Sequence, residues 1–262
     1  MRTVAIIQAR MTSTRLPGKV LMDLAGRPVL ARVVQRLRAC EMVDEICVAT
    51  TRNATDDPLE EFARKQQVHF VRGSEEDVLG RYVLAARSTG ADAVVRITSD
   101  CPLLDPEVTD MVITALTAPS QVDYAANVLE RTYPRGLDTE AMFVDTLMRL
   151  DRLATAPRDR EHVTTFLRSE RPDLFKTRHV RDTVDNSDLR WTLDTPADLT
   201  FLRTVFERFH LAGPPRSFRE LVTALRTAPE LLAINRDAET WDPSGSPARF
   251  APGRILKEGI AS

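Results

Sequence analysis

Two hydrophobic rhythms alternate along the chain. Val4-Ala5-Ile6-Ile7 is an unbroken apolar run bounded by polar residues, which predicts a short strand buried on both faces. Gly26-Arg27-Pro28 then opens a helix, because proline is tolerated where the first helical N–H groups have no partner anyway. Val29, Val33, Val34 and Leu37 follow at helical spacing. The alternation repeats. Glu45 to Thr50 reads as a strand, Asp56-Asp57-Pro58 starts a helix carrying Leu59, Phe62 and Ala63, and Val68 to Val71 is a third strand. A fourth strand spans Asp92 to Thr98, with Val108, Met111, Val112 and Leu116 on the next helix. Strand and helix taking turns predicts a parallel sheet wound by helices.

The later half is less regular. Val122 to Asn127, Phe175 to Val180 and Leu189 to Leu193 are candidate strands, and Asp145 to Leu153 and Arg160 to Ser169 candidate helices. Thr195-Pro196 has the form of an N-cap followed by proline, with Asp198 three positions after the cap. Phe201, Leu202, Val205 and Phe209 continue that helix, and another runs from Ser217 to Thr227. From Asp237 onward, Pro243, Gly245, Pro247, Pro252 and Gly253 predict an extended tail over 237–262.

The 262 residues suffice for one large α/β domain. A net charge of −2 supplies no overall field toward nucleic acid or a membrane surface. Cys40, Cys47 and Cys101 are odd in number and form no Cys-x-x-Cys pair, which argues against a disulfide framework or a zinc site and suits a reducing cytoplasm. No apolar run is long enough for a membrane span.

Candidate chemistry concentrates where the first strand ends. Arg10, Arg15 and Lys19 crowd one loop, with Ser13 and Thr14 between them and Pro17-Gly18 marking a turn. Cations gathered at a strand's carboxyl end call for an anion, and open α/β sheets bind ligands there; a polyphosphate is the simplest choice, a solvated basic loop the alternative. A Walker loop is excluded, because Ser stands at position 13 and Val at position 20; no two glycines stand two apart, so a dinucleotide fingerprint is excluded too. Beyond the fourth strand, Asp100 precedes Cys101-Pro102-Leu103 and is well placed to hold a cation such as Mg²⁺. Asp105 suits the N-cap of the following helix, and Ser74 or Asp77 can cap the helix that ends before Gly90.

The segment Ile7-Gln8-Ala9-Arg10-Met11-Thr12-Ser13-Thr14-Arg15-Leu16-Pro17-Gly18-Lys19 resembles the opening of the cytidylyltransferases that activate sugar acids, above all the 3-deoxy-manno-octulosonate enzymes. Gln8 in place of their proline resembles the branch named after the spore-coat polysaccharide protein F. The resemblance implies a Rossmann-like nucleotidyltransferase fold with a mixed, mainly parallel sheet over residues 1–236 and a small insertion at about 130–185. It implies that Arg10, Arg15 and Lys19 are catalytic, and that Gln8, Ala9, Arg10, Ser13 and Lys19 join Arg72, Gly73, Ser74 and Asp77 in binding the nucleotide and reading its base. Asp100 and Asp194, each in a motif similar to the family's, would hold Mg²⁺. The segment Pro134-Arg135-Gly136-Leu137-Asp138-Thr139-Glu140 resembles a branch signature near the acceptor, as does Arg160-Glu161-His162-Val163-Thr164. Arg135, Asp138, Glu140 and His162 are then acceptor-binding candidates; a turn around Pro134 and Gly136, and a histidine without a catalytic role, are the plain alternatives.

The reaction so implied joins CTP to an acidic acceptor, such as a nonulosonic or octulosonic acid, and releases pyrophosphate. A phosphonate acceptor is an alternative. So are a glycosyltransferase, against which stands the missing Asp-x-Asp motif at the fourth strand, and a nucleotide-binding protein without turnover, against which stands the retention of Asp100 and the loop cations. The resemblance also implies a homodimer paired through the insertion, where Tyr133, Met142 and Phe143 would offer apolar surface.

Overall fold

The first strand lies at the centre of the molecule because its side chains leave no face for water. In the computed structural model, which describes residues 1–119 and 122–238, β1 (Thr3–Gln8) carries Val4, Ala5, Ile6 and Ile7, all fully buried. Burial of a Val or Ile side chain contributes about 1.5–3 kcal/mol. A two-strand hairpin, β2 (Asp23–Leu24) and β3 (Arg27–Pro28), leads into α1 (Val29–Leu37). Then come β4 (Glu45–Thr51), α2 (Asp57–Gln66), β5 (His69–Gly73), α3 (Val78–Thr89), β6 (Ala93–Thr98) and α4 (Pro106–Thr117). The second half adds β7 (Tyr124–Ala126), β8 (Glu140–Phe143), α5 (Val144–Leu153), α6 (Pro157–His162), β9 (Thr177–His179), α7 (Pro196–Arg208), α8 (Phe218–Arg226) and α9 (Pro229–Leu232).

The described residues form a seven-stranded sheet in the order β5-β4-β1-β6-β8-β7-β9. β5, β4, β1 and β6 are parallel, β8 runs antiparallel to both its neighbours, and β7 and β9 are parallel. This is the expected mixed, mainly parallel α/β fold. One apolar cluster, with Ile7, Val33, Val48 and Val112, and a second, with Ile6, Tyr82, Val94 and Leu147, draw alternate residues of the same strands. A third gathers Trp191, Phe201, Phe206 and Leu221 around α7 and α8.

Several expectations shift. Residues 130–185 supply two strands of the main sheet, β8 and β9, so this segment is woven into the domain. Leu189 to Leu193 forms no strand: its single bridge joins Arg190 to Arg135, where Gly136 sits so close to Trp191 that a Cβ would lie 2.6 Å from its carbonyl carbon. The predicted helix over 160–169 breaks at Val163, which is buried at φ 63° and closes a tight turn through Thr164 N–H to the His162 carbonyl. Tyr133 and Met142 are buried in this chain's own core and offer no surface for pairing, so the expected homodimer loses that support. The expected tail lies outside the described residues beyond Ala238. Among the described residues no helix is long and apolar enough to cross a membrane.

Candidate functional site

The order of connection reverses at β1, whose neighbours are β4 on one side and β6 on the other. Strand carboxyl ends diverge at such a point and leave a crevice. Here the crevice is a cleft of two bays that share Arg10 and Glu161. The inner bay is lined by Gln8, Ala9, Ser13, Arg15 and Lys19 from the loop after β1, and by Thr98, Ser99 and Asp100 from the end of β6. The outer bay, about 700 Å³, is walled by Arg52, Asn53, Gly73, Ser74, Glu75 and Pro157.

The basic loop is held from beneath. Gly18 adopts φ 71°, a left-handed conformation that glycine accepts without a Cβ clash, and its N–H reaches back to the Met11 carbonyl at 2.9 Å. Met11 N–H donates to Asp56 Oδ1 at 2.8 Å, and the other oxygen of that fully buried carboxylate accepts from the hydroxyls of Thr50 and Thr51. Asp56 therefore anchors the loop to β4, a role not visible in its sequence position at a helix start. On the loop's outer side, Arg10 meets Glu75 at 3.3 Å.

Lys19 is the centre of charge. Its Nζ donates to Asp100 Oδ2 at 2.7 Å, to Asp194 Oδ1 at 2.8 Å and to the Leu193 carbonyl at 2.7 Å, which satisfies all three ammonium donors. Burial alone would depress the lysine pKa, but Asp100 and Asp194 outweigh it and hold it above the ordinary value. Burial likewise opposes ionisation of Asp100, and Lys19 prevails to hold its pKa low. Asp194 arrives without sheet pairing: Leu193 N–H donates to the Asp100 carbonyl at 2.8 Å. Arg15 reaches Asp194 at 3.0 Å, and Arg190 spans Asp194 and Asp198. Asp198 completes a capping box with Thr195, as predicted, so the start of α7 does not call on the Asp194 side chain.

The sequence profile of the family described as "Cytidylyltransferase" matches residues 4–207. The chain belongs to the cytidylyltransferase family. It is 34% identical over 244 residues to the spore coat polysaccharide biosynthesis protein SpsF of Bacillus subtilis, a match that covers 89% of this chain and 98% of that one. A 3-deoxy-manno-octulosonate cytidylyltransferase of Geobacter sulfurreducens is 34% identical over 116 residues, 44% of this chain and 46% of that one. Among solved structures, a cytidylyltransferase from Leptospira borgpetersenii superposes with a TM-score of 0.84 at 30% identity, covering 92% of this chain and 100% of that chain.

In this member of the family, the residues singled out in the sequence divide between cleft and scaffold. Gln8, Ala9, Arg10, Ser13, Arg15, Lys19, Asp100, His162 and Asp194 line the inner bay, and Gly73 and Ser74 the outer one. Arg72 is not among the residues lining either bay. Its guanidinium donates to the Thr51 and Asn53 carbonyls at 2.8 Å and pairs with Asp57 and Glu60, stapling β5 to the loop after β4. Asp77 caps α3 through Gly80 N–H and takes a two-pronged bond from Arg160 at 2.8 Å, which ties α6 to α3. Gly80 belongs beneath that carboxylate, because a Cβ there would meet Asp77 Oδ2 at 2.3 Å.

The acceptor candidates divide as well. Arg135, Asp138 and Glu140 are not among the residues lining either bay. Glu140 is buried on Arg96 and Tyr124. Burial raises its pKa and Arg96 outweighs that, leaving it low. Asp138 grips Arg131 with bonds of 2.6 and 2.8 Å. Burial opposes its charge, but Arg131 holds its pKa down to about 2. A carboxyl pKa depressed by folding stabilises above its unfolded value near 4 and loses that stability as pH falls through about 2. Asp138→Asn is accordingly expected to cost about 2 kcal/mol at pH 7. In urea titrations across pH, the gap to wild type should narrow below pH ~4 and close near pH ~2, and a gap that does not vary with pH would contradict this account. His162 alone of the four lines the cleft, its pKa lowered by burial. Arg81 and Glu161 also line it, and only the latter lay in a segment that the sequence marked.

Proposed function

We propose that the protein couples CMP from CTP to an acidic acceptor and releases pyrophosphate. The observation that carries this reading is the meeting of Asp100 and Asp194 at one cation, Lys19, at the switch point of the sheet. It is supported by the family, by the sugar-acid activity named for the Geobacter relative and by the spore-coat polysaccharide role named for the Bacillus relative. The triphosphate lies along the loop of Arg10, Arg15 and Lys19, which neutralise the charge gathering on the departing pyrophosphate. The base occupies the outer bay beside Gly73 and Ser74, and the acceptor approaches the α-phosphorus from the side of His162. No covalent enzyme intermediate is required.

The donor set suits Mg²⁺. Two carboxylates and a carbonyl oxygen converge within 2.8 Å of one point, now filled by an ammonium group, and Mg²⁺ is typically held by one or two carboxylates with substrate phosphates and water. Asp100 and Asp194 would hold it, and the ion would supply electrostatic stabilisation of charge on the phosphate oxygens.

The test is a pyrophosphate-release screen of each nucleoside triphosphate against sugar acids and phosphonates. Turnover is expected with CTP and an anionic acceptor, and none with any pair would defeat the reading. In thermal-shift titrations with Mg²⁺, CTP is expected to stabilise the protein more than ATP or GTP at equal concentration. Equal shifts from all triphosphates would refute base selection by the outer bay.

A further inference from the structure

Among the described residues, two of the Arg81 guanidinium nitrogens have no hydrogen-bond partner. Arg81 lies on α3 with only 3% of its surface exposed, and the two nitrogens, Nε and Nη1, are themselves buried. Burial pushes its pKa down, and Arg10 pushes the same way. The other buried arginines are provided for: Arg32 and Arg36 donate to carbonyls and Arg190 to Asp198. The carboxylates whose fields reach Arg81, namely Asp56, Glu75 and Asp77, are held elsewhere, Asp77 by Gly80 and Arg160. Asp56 serves Met11, Thr50 and Thr51, and Glu75 serves Thr12, Asn53 and Arg10. A buried guanidinium left unpaired destabilises the fold, so its presence calls for a partner from outside.

The surroundings point the same way. Arg81 lines the inner bay with Gln8, Arg10, Thr98, Ser99 and His162. Its stem runs under Gly73, where a Cβ would lie 2.6 Å from Arg81 Cγ, so β5 packs closely on it. Gly73 in turn lines the outer bay.

We propose that Arg81 is a substrate-binding residue which takes an oxyanion of the bound substrates, a phosphate of the nucleotide or the acid group of the acceptor. This rests on the functional reading above and names a contact that reading lacks. Its signature is a pair of opposed effects. Arg81→Met keeps the stem and removes the charge. It should raise the melting temperature of the ligand-free protein by relieving an unpaired buried cation, and it should weaken substrate binding. A charge-assisted hydrogen bond is worth about 10- to 100-fold in affinity.

The experiment compares wild type with R81M by thermal melting without ligand, by calorimetry with Mg²⁺ and CTP, and by KM for the acid that turns over. A higher melting temperature with CTP bound at least about tenfold more weakly assigns Arg81 to the nucleotide phosphates. A higher melting temperature with CTP affinity kept and KM for the acid raised by that factor assigns it to the acceptor. A lower melting temperature, or substrate parameters within twofold of wild type, overturns the proposal. Wild type that binds no nucleotide defeats the CTP reading instead; inorganic pyrophosphate is then the probe, and a shift in melting temperature for wild type but not for R81M sustains Arg81 as an anion site, equal shifts overturning it.

Discussion

Lys19→Ala is expected to lower turnover by about two to three orders of magnitude, the scale of removing one preorganised donor from developing charge. The geometry adds a second expectation. Lys19 holds two carboxylates and a carbonyl, and its removal leaves Asp100 and Asp194 facing each other in a part-buried site. Breaking a buried pair from one side costs about 3–5 kcal/mol. Side-chain exposures of 11% to 22% in this cluster place the effect at the lower end, roughly 3 kcal/mol. Loss of activity and loss of stability therefore have to be separated. Pyrophosphate release should be measured well below the variant's own melting temperature, alongside urea unfolding. A folded variant with turnover within tenfold of wild type would remove Lys19 from the catalytic set, and an unchanged unfolding midpoint would show that the carboxylates do not depend on it.

The parallel half of the fold was legible because its strands are short, mainly apolar runs and its helices carry apolar stripes, signals that survive without knowledge of tertiary contacts. Asp105 and the Thr195–Asp198 capping box were equally local, and both stand where predicted. Legibility failed where a residue's role depends on a distant partner. Arg72 sits in a segment that looks nucleotide-binding, yet Asp57, Glu60 and two carbonyls claim it. Glu140 looks like an acceptor ligand until β8 turns it toward Arg96 and Tyr124. Leu189 to Leu193 has the composition of a strand, but it joins the structure through a bridge at Arg190 and the Leu193–Asp100 hydrogen bond. Arg81, in a stretch that reads as an ordinary helix, carried no signal at all. Its meaning lies in donors without a hydrogen-bond partner among the described residues, which only the packed structure reveals.

Asp194→Asn keeps the side-chain shape and removes its charge. Were Asp194 merely a residue before a helix, the exchange would be nearly silent, because Thr195 already caps α7. The structure makes it costlier. Asp194 accepts from Lys19 at 2.8 Å, Arg15 at 3.0 Å and Arg190 at 3.3 Å, and an amide oxygen cannot balance three cations. Hydrogen bonds to charged groups contribute about 1.5–3 kcal/mol, and Lys19 retains Asp100 while Arg190 retains Asp198, so a net loss of about 1–2 kcal/mol is expected. On the proposed assignment turnover falls by about two orders of magnitude or more, and a higher Mg²⁺ concentration is needed for half-maximal rate. Thr195→Ala supplies the contrast, since it removes the cap, should cost about 1 kcal/mol, and leaves the Asp194 carboxylate in place. If both variants lost stability and both kept the wild-type Mg²⁺ dependence, Asp194 would be a structural partner of Lys19 and no more. If only Asp194→Asn shifts the Mg²⁺ curve, the carboxylate serves the ion as well as Lys19.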